Sequence, residues 1–449
     1  MRRAKFCIQL FLLFLVVSFF PAQFSGQGTQ TAPSPLWSAN HPVDWWFAFK
    51  FNAETFPRPT TSVPACMFGG TPGGTRKYTR IGQSYVAASS EHAALAKGPG
   101  YLGDSLADPV GATFDEVYNG DLSYIVWNDQ FYRSPVLACE GSSAVECGAK
   151  WGHSKGMLAW NDDGNGFILQ VTTPSWPGAG NSANPRAGDG NSLGCVNDDD
   201  VDLSQGFFAL KLTKDDLLKV LAALQTEGAV TDPSNPQIAK IGGPQEAKDA
   251  AAKLGSPNTT STFTQATLSS GVQVIAKAGG LAAPPWQFVS AVLGKVPLRV
   301  ATFWQGALIY STPGRTKPDC WPTALQSLSP GTVQIVKTGI WDGTTIGLTG
   351  TSQKDASGNS LGANHAKIGV STGSGSPLTI FADMNQDGAI SPVGKLTCSS
   401  SQNARGGLFF VVENEDLHKS VTALLTGKYA PSKAPAATRT AGTTSAATH

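Results

Sequence analysis

A histidine and a lysine two residues apart occur twice in this chain. His153 and Lys155 lie in Trp151–Thr173, WGHSKGMLAWNDDGNGFILQVTT; His365 and Lys367 lie in Asn364–Asn385, NHAKIGVSTGSGSPLTIFADMN. In a strand, residues i and i+2 share a face, so each copy presents an imidazole beside an ammonium. Cleaving a phosphodiester without a metal needs a nucleophile, a proton for the leaving oxygen, and positive charge on the non-bridging oxygens. A neutral imidazole can attack phosphorus and a protonated one can supply the proton. Two lysines can stabilise the charge that gathers on the phosphoryl oxygens. An unperturbed imidazole pKa of ~6.5 lets one ring be neutral and the other charged at mildly acidic pH. One such triplet means little. Two, at matching places in a chain with 6 histidines, mark a candidate active site.

The elements that must hold these residues repeat as well. Each motif runs through a Gly-rich turn into an apolar strand, Gly166–Val171 or Pro377–Ala382, and an offset of 18 from each histidine reaches Val171 and Asp383. A strand and a helix follow each time: Gly206–Leu212 then Thr213–Gly228, and Gly407–Val412 then Asn414–Gly427. Thr213 reads as an N-cap, Asp215 and Asp216 fill the first turn, and Leu217, Val220, Leu221 and Leu224 form the apolar stripe. Asp416, Leu417, Lys419, Ala423 and Leu424 match Asp216, Leu217, Lys219, Ala223 and Leu224. The repeat predicts an ancient duplication with both halves in one body.

Upstream, His41–Asn52 alternates as a strand with Trp45, Phe47 and Phe49 on one face, and residues 76–89 are strand-like. Asp121–Arg133 reads as a core strand ending in Asn128, Asp129 and Gln130. The second half opens with Gly271–Ala278, a helix over Pro285–Leu293 and a strand over Leu298–Tyr310. The expected organisation is a signal peptide over 1–22, a lead-in over 23–40, a first α/β half over 41–228 and a linker over 229–262 with a short helix near Gln245–Lys253. A second α/β half over 263–430 and a disordered tail over 431–449 complete it.

With 449 residues and 41% hydrophobic content, the chain can bury a large core. Charge is scarce and balanced at +1 with no polybasic run, so an anionic substrate must be held by a local cluster rather than by bulk field. Met1–Ala22 has Arg2, Arg3 and Lys5, an apolar stretch from Phe6 to Phe20, and small residues near Ala22, which is a secretory pattern. The expectation is a secreted or periplasmic protein with no membrane segment after cleavage. Cys7 leaves with the signal. Cys66, Cys139, Cys147, Cys195, Cys320 and Cys398 remain, an even count that suits disulfides in about 15 combinations. Cys139 and Cys147 are near enough to close a small loop. None is in CxxC spacing, so no metal or other cofactor is expected.

Other clusters compete weakly. Asp383, Asn385, Asp387 and Gly388 start a calcium-loop pattern that fails at its twelfth position, Gly394. Asn197–Asp200 with Asp202 reads as a solvated acidic loop. Trp176, in a Pro-rich loop after the first motif, is the best candidate to stack on a base. His41, His92 and His418 read as structural or surface residues.

At PVDWWFAFK, LSYIVWNDQ, GHSKG with GFIL and PSWP, NHAKIGVS, ADMN and ARGG, in this order over roughly residues 40–425, the chain resembles the deoxyribonuclease II family. The resemblance implies a phospholipase D-like α/β fold: a monomeric pseudodimer of two duplicated halves with mixed sheets and the active site at their interface. It implies metal-independent acid endonuclease action on DNA through a phosphohistidine, leaving 3′-phosphate ends. By position it makes His365 the nucleophile, with Lys367 and Asn385 completing its half, and pairs His153, as general acid, with Lys155. It also suggests the disulfides Cys320–Cys398 and Cys66–Cys195 beside Cys139–Cys147. The alternatives are another phosphodiesterase on the same scaffold and a nucleic-acid-binding member with impaired catalysis.

Overall fold

The computed structural model describes residues 32–56, 84–103, 105–131, 147–174, 176, 181, 183, 203–304, 310–386, 397–399 and 402–432. The expected signal and almost all of the tail lie outside the described residues, as do Cys66, Cys139, Cys195 and the acidic run at 197–202. Among the described residues the protein is mixed α/β, with several sheets and five α-helices.

Two sheets carry the architecture. The eight-stranded sheet runs Ala239–Lys240, Ser123–Asn128, Lys155–Trp160, Gly166–Val171, Gln205–Leu212, Trp45–Lys50, Tyr85–Ser89, Ala96–Lys97, all antiparallel. The seven-stranded sheet runs Phe263–Thr267, Gln273–Lys277, Gly407–Glu413, Leu378–Ala382, Lys367–Ser371, Leu298–Ala301, Val333–Ile335. Only its last pair is parallel. Both sheets contain the same succession: a strand before the motif, the motif strand, its hairpin partner, the strand that leads into a helix, and one further antiparallel neighbour.

Most of these strands are buried on both faces, which is why they read as continuous apolar runs. One face of each sheet joins a common core. Phe47 and Phe208 of the first sheet stack on Phe381 of the second at centroid distances of 4.4 and 4.5 Å. The opposite face of the first sheet, with Trp46 and Ala48, packs on the helix Pro109–Tyr118; that of the second packs on Pro285–Val292.

The helix expected after the first motif spans Lys214–Glu227 and is fixed at both ends. Thr213 and Asp216 form a reciprocal capping box, and Gly228 closes the helix in the left-handed region (φ 75°) that glycine tolerates. Its Leu217, Val220, Leu221 and Leu224 are all buried, and the helix lies on the strands Gln273–Lys277 and Phe263–Thr267 of the other sheet. Its counterpart, Glu415–Leu424, is capped by Asn414 and buries Leu417, Val421 and Leu424.

Several elements differ from expectation. Of the strand expected over Leu298–Tyr310, Leu298–Ala301 forms and residues 302–304 leave the ladder, with the Thr302 hydroxyl donating to the Met384 carbonyl (3.1 Å); residues 305–309 lie outside the described residues. The helix Pro109–Tyr118 went unread, although Asp108 caps it and Pro109 opens it. The expected linker contributes an edge strand, Ala239–Lys240, to the first sheet, while the short helix expected in it near Gln245–Lys253 is present over Gln245–Ala251. Cys320 and Cys398 are bridged, with Cα atoms 5.3 Å apart, and Cys147 is also disulfide-bonded.

Candidate active site

The two motif strands begin at the lysines, so each histidine sits two residues before its strand, in backbone held by the opposite sheet. The His153 amide donates to the Gly406 carbonyl (2.9 Å), and the His365 amide donates to the Ser204 carbonyl (2.7 Å). Gly406 approaches so closely that a Cβ there would collide with the Glu227 carbonyl, so only glycine fits. The side chains cross in the same way. His153 Nδ1 donates to the Asp383 carbonyl (2.6 Å), and His365 Nδ1 donates to the Thr172 carbonyl (2.5 Å). Each carbonyl lies one residue past the hairpin strand of the other motif. These contacts fix both rings as Nδ1–H tautomers and put the basic lone pair on Nε2.

Strand pairing corrects the matching of the two halves. Lys155 lies opposite Val171 and Lys367 opposite Ala382, so Thr172, not Val171, is the counterpart of Asp383. The first hairpin is one residue longer than the second, and an equal offset from the histidines misses this.

Both lysines converge on Asp383. Lys155 Nζ donates to Oδ2 (2.7 Å) and Lys367 Nζ to Oδ1 (2.6 Å). Lys155 also donates to Asp129 Oδ1 (2.8 Å), and Arg405 Nη2 reaches Asp129 Oδ2 (2.7 Å). Arg405 further donates to the carbonyls of Trp151 (3.3 Å) and Gly152 (3.2 Å), clamping the loop that carries His153. Lys367 instead has the Phe303 ring 5.8 Å from its ammonium, and that ring stands edge-on to His365 at 4.8 Å. Asn385 Nδ2 donates to His153 Nε2 (3.1 Å), while its own Oδ1 is buried without a partner. Asn385 therefore stands beside His153, although by sequence it belongs to the half of His365.

Burial sets the protonation states. His153 and His365 are 1% and 2% exposed, and desolvation holds both well below the ordinary imidazole range. The Asp129 carboxylate, with Oδ2 4.0 Å from Nε2, opposes this at His153. At His365 the Lys367, Lys155 and His153 charges add to it. Burial would raise Asp129, but His153, Lys155 and Arg405 outweigh it and keep the carboxyl ionised. Behind the motif, Ser154 donates to Glu227 Oε1 (2.6 Å), and burial pushes that carboxyl up to about 8.

Asp129, His153 and Asp383 offer ligand atoms within 4.8 Å of one another. Yet all four oxygens of the two carboxylates already accept from Lys155, Lys367 or Arg405, so the donor set is taken up by the protein's own cations. The same contacts remove Asp383 from the calcium-loop pattern, whose Asp387 and Gly388 lie outside the described residues.

Trp176 is not where a base could reach it. It is 1% exposed, with its ring between Phe114 (5.3 Å) and Phe207 (5.7 Å). A large apolar ring in a polar loop gains more from entering the core than from stacking in water. His41 pairs with Glu91, and His418 hydrogen-bonds the Ser371 carbonyl, so neither joins the cluster. Sequence reasoning passed over Asp129 and Asp383 as partners of the lysines and Arg405 as a partner of Asp129; for the two aspartates, polar residues just past buried strands were the available sign.

A buried cluster of two imidazoles and two ammonium groups around shared carboxylates suits the class of hydrolytic nucleases. The family model of deoxyribonuclease II matches residues 34–235, a stretch that includes Asp129, His153 and Lys155. That match supports assignment of the chain to the deoxyribonuclease II family, and with it a hydrolase of the nuclease type. No curated protein matches the chain.

Proposed function

We propose that the protein is a secreted, metal-independent acid endonuclease that hydrolyses DNA phosphodiesters through a phosphohistidine. On this reading the two motif-bearing halves form a phospholipase D-like pseudodimer with the active site between them. The observation that carries it is the crossed anchoring of the two histidines, with both lysines meeting on Asp383.

The different surroundings support a division of roles. Asp129 favours a proton on His153, whereas the charges that weigh most on His365 are those of Lys367, Lys155 and His153, which disfavour one. His365 Nε2 attacks phosphorus, forming a P–N bond as the bond to the 5′ oxygen breaks. Protonated His153 gives its Nε2 proton to that oxygen, leaving a 5′-hydroxyl. Lys155 and Lys367 stabilise the phosphoryl oxygens. Neutral His153 then takes a proton from water, which attacks phosphorus, frees His365 and leaves a 3′-phosphate. Rotating the Asn385 amide turns its partnerless Oδ1 toward His153 Nε2, so one residue serves both protonation states. Because burial lowers both imidazoles, the proton on His153 requires acidic pH, and activity falls as pH rises.

The test is digestion of plasmid DNA by the mature protein in excess EDTA, scanned from about pH 4 to 8. Nicking that survives the chelator and peaks on the acid side is expected. Nicking only with added divalent metal would discard the phosphohistidine route. Absence of cleavage under every condition would favour a binding role or another phosphodiester.

A further inference from the structure

Lys277, the last residue of its strand, is fully buried, and none of its acceptors is a carboxylate. Its ammonium donates to the main-chain carbonyls of Arg405 (2.5 Å), Asn403 (2.8 Å) and Ala278 (3.5 Å). A buried cation met only by carbonyls is an unfavourable way to fill space, and an apolar side chain would pack there at less cost. What it secures is the turn that delivers Arg405 and Gly406 to the other half. Arg405 clamps Asp129 and the carbonyls of Trp151 and Gly152. Gly406 receives the His153 amide and donates its own amide to the Trp151 carbonyl (2.9 Å).

We propose that Lys277 is a positioning residue for His153 and Lys155: by fixing the turn before Gly406, it sets the reach of Arg405 to Asp129 and of the Gly406 backbone to His153. The role rests on the histidine chemistry proposed above. The other sheet contains the comparison. Lys50 ends its strand opposite Gln205, as Lys277 does opposite Gly407, and donates to the Leu203 carbonyl (2.8 Å). There the residue two places before the strand is Leu203 rather than Arg405, so the tie carries no guanidinium to the far half. Burial, reinforced by the like charges of Lys150 and Arg405, pushes Lys277 down to about 7. An ammonium has three donors for its three carbonyls and an amine only two, so the tie is complete on the acid side.

The first readout is independent of cleavage. The ring signals of His153 and His365 are titrated by NMR in the wild type, Lys277→Met and Lys50→Met. In Lys277→Met the His153 pKa should rise toward its ordinary value by about half a unit or more as the clamp loosens and water enters. His365 should stay unchanged, and Lys50→Met should leave His153 unchanged. Plasmid nicking should lose about thirtyfold in kcat with KM within about twofold. An unmoved His153 titration in folded Lys277→Met overturns the proposal. Should that variant not fold, Arg405→Lys, which leaves Lys277 in place, must give the same His153 shift, and its absence is equally fatal. A wild type that never cleaves DNA but shows the shift would sink the nuclease reading and leave the positioning role standing.

Discussion

The His153 pair and the His365 pair share a backbone solution and differ in electrostatics. Each imidazole gives Nδ1–H to a carbonyl one residue past the other hairpin, and each histidine amide is received by the other sheet's entry loop. Around the lysines the likeness ends. Asn128 stands opposite Lys155 in the ladder and is followed by Asp129; in the second sheet the ladder ends with Ala301 opposite Ile368, and Thr302 and Phe303 follow in the chain. One half thus has a carboxylate and an arginine where the other has an aromatic ring. Similarly, Asp383 has Thr172 as its counterpart. Duplicated geometry with unequal charge lets one imidazole hold a proton more readily than its twin, and an acid and a nucleophile must differ in this way.

The sharpest break of that comparison uses the leaving group. His365→Ala should abolish cleavage, a loss of ~10⁴ or more, and His153→Ala should lose ~10²–10⁴. On a p-nitrophenyl phosphodiester of thymidine, whose leaving group needs no proton, His153→Ala should recover most of its rate and His365→Ala none. Equal rescue of both would end the division of roles.

Next in size is the shared carboxylate. Asp383→Asn strips Lys155 and Lys367 of their common partner inside the core and should cost about 3–5 kcal/mol in urea unfolding. Thr172→Val at the matching place removes hydroxyl bonds to Gln205 and the Gly206 amide and should cost about 1 kcal/mol. Similar losses would mean that the two hairpin ends are energetically alike.

Phe303→Asp copies the first half's charge into the second. It should raise the His365 pKa, so that the proposed nucleophile is protonated at low pH and the acid-side activity is lost. NMR titration of His365 checks the cause. Asp129→Asn works the other way. It removes the group that favours protonated His153, so the pKa falls further and activity should need a pH about one unit lower. A pH profile unchanged by Asp129→Asn would show that Asp129 serves Lys155 and Arg405 and not His153.

Local chemistry was legible and long-range chemistry was not. The capping box of Thr213 and Asp216, the Leu217–Leu224 stripe and the face of Trp45, Phe47 and Phe49 follow from residue types at short spacing, and the structure has them. The two His-x-Lys triplets stood out for the same reason, and their lysines do meet. Asp383 was harder. Its own neighbours suggested a calcium loop, while its partners Lys155 and Lys367 are set by strand pairing that differs by one residue between hairpins. Arg405 and Lys277 act across sheets, where spacing carries no signal. Trp176 failed because its polar loop says nothing of the gap between Phe114 and Phe207 that its ring fills.

The crossed backbone contacts at Gly152–Gly406 and Ser204–Asn364 also bear on when the protein becomes dangerous to its maker. His153 emerges from the ribosome long before the carbonyl that receives its amide, and no local structure can stand in for a partner so distant in sequence. Such contacts form late, after the chain has closed its longest loops. On the proposed function, a chain not yet made as far as Gly406 cuts nothing, even when both histidines are already part of it. Toxicity to the host's own DNA is then deferred until synthesis is nearly complete, with the topology acting as the safety catch.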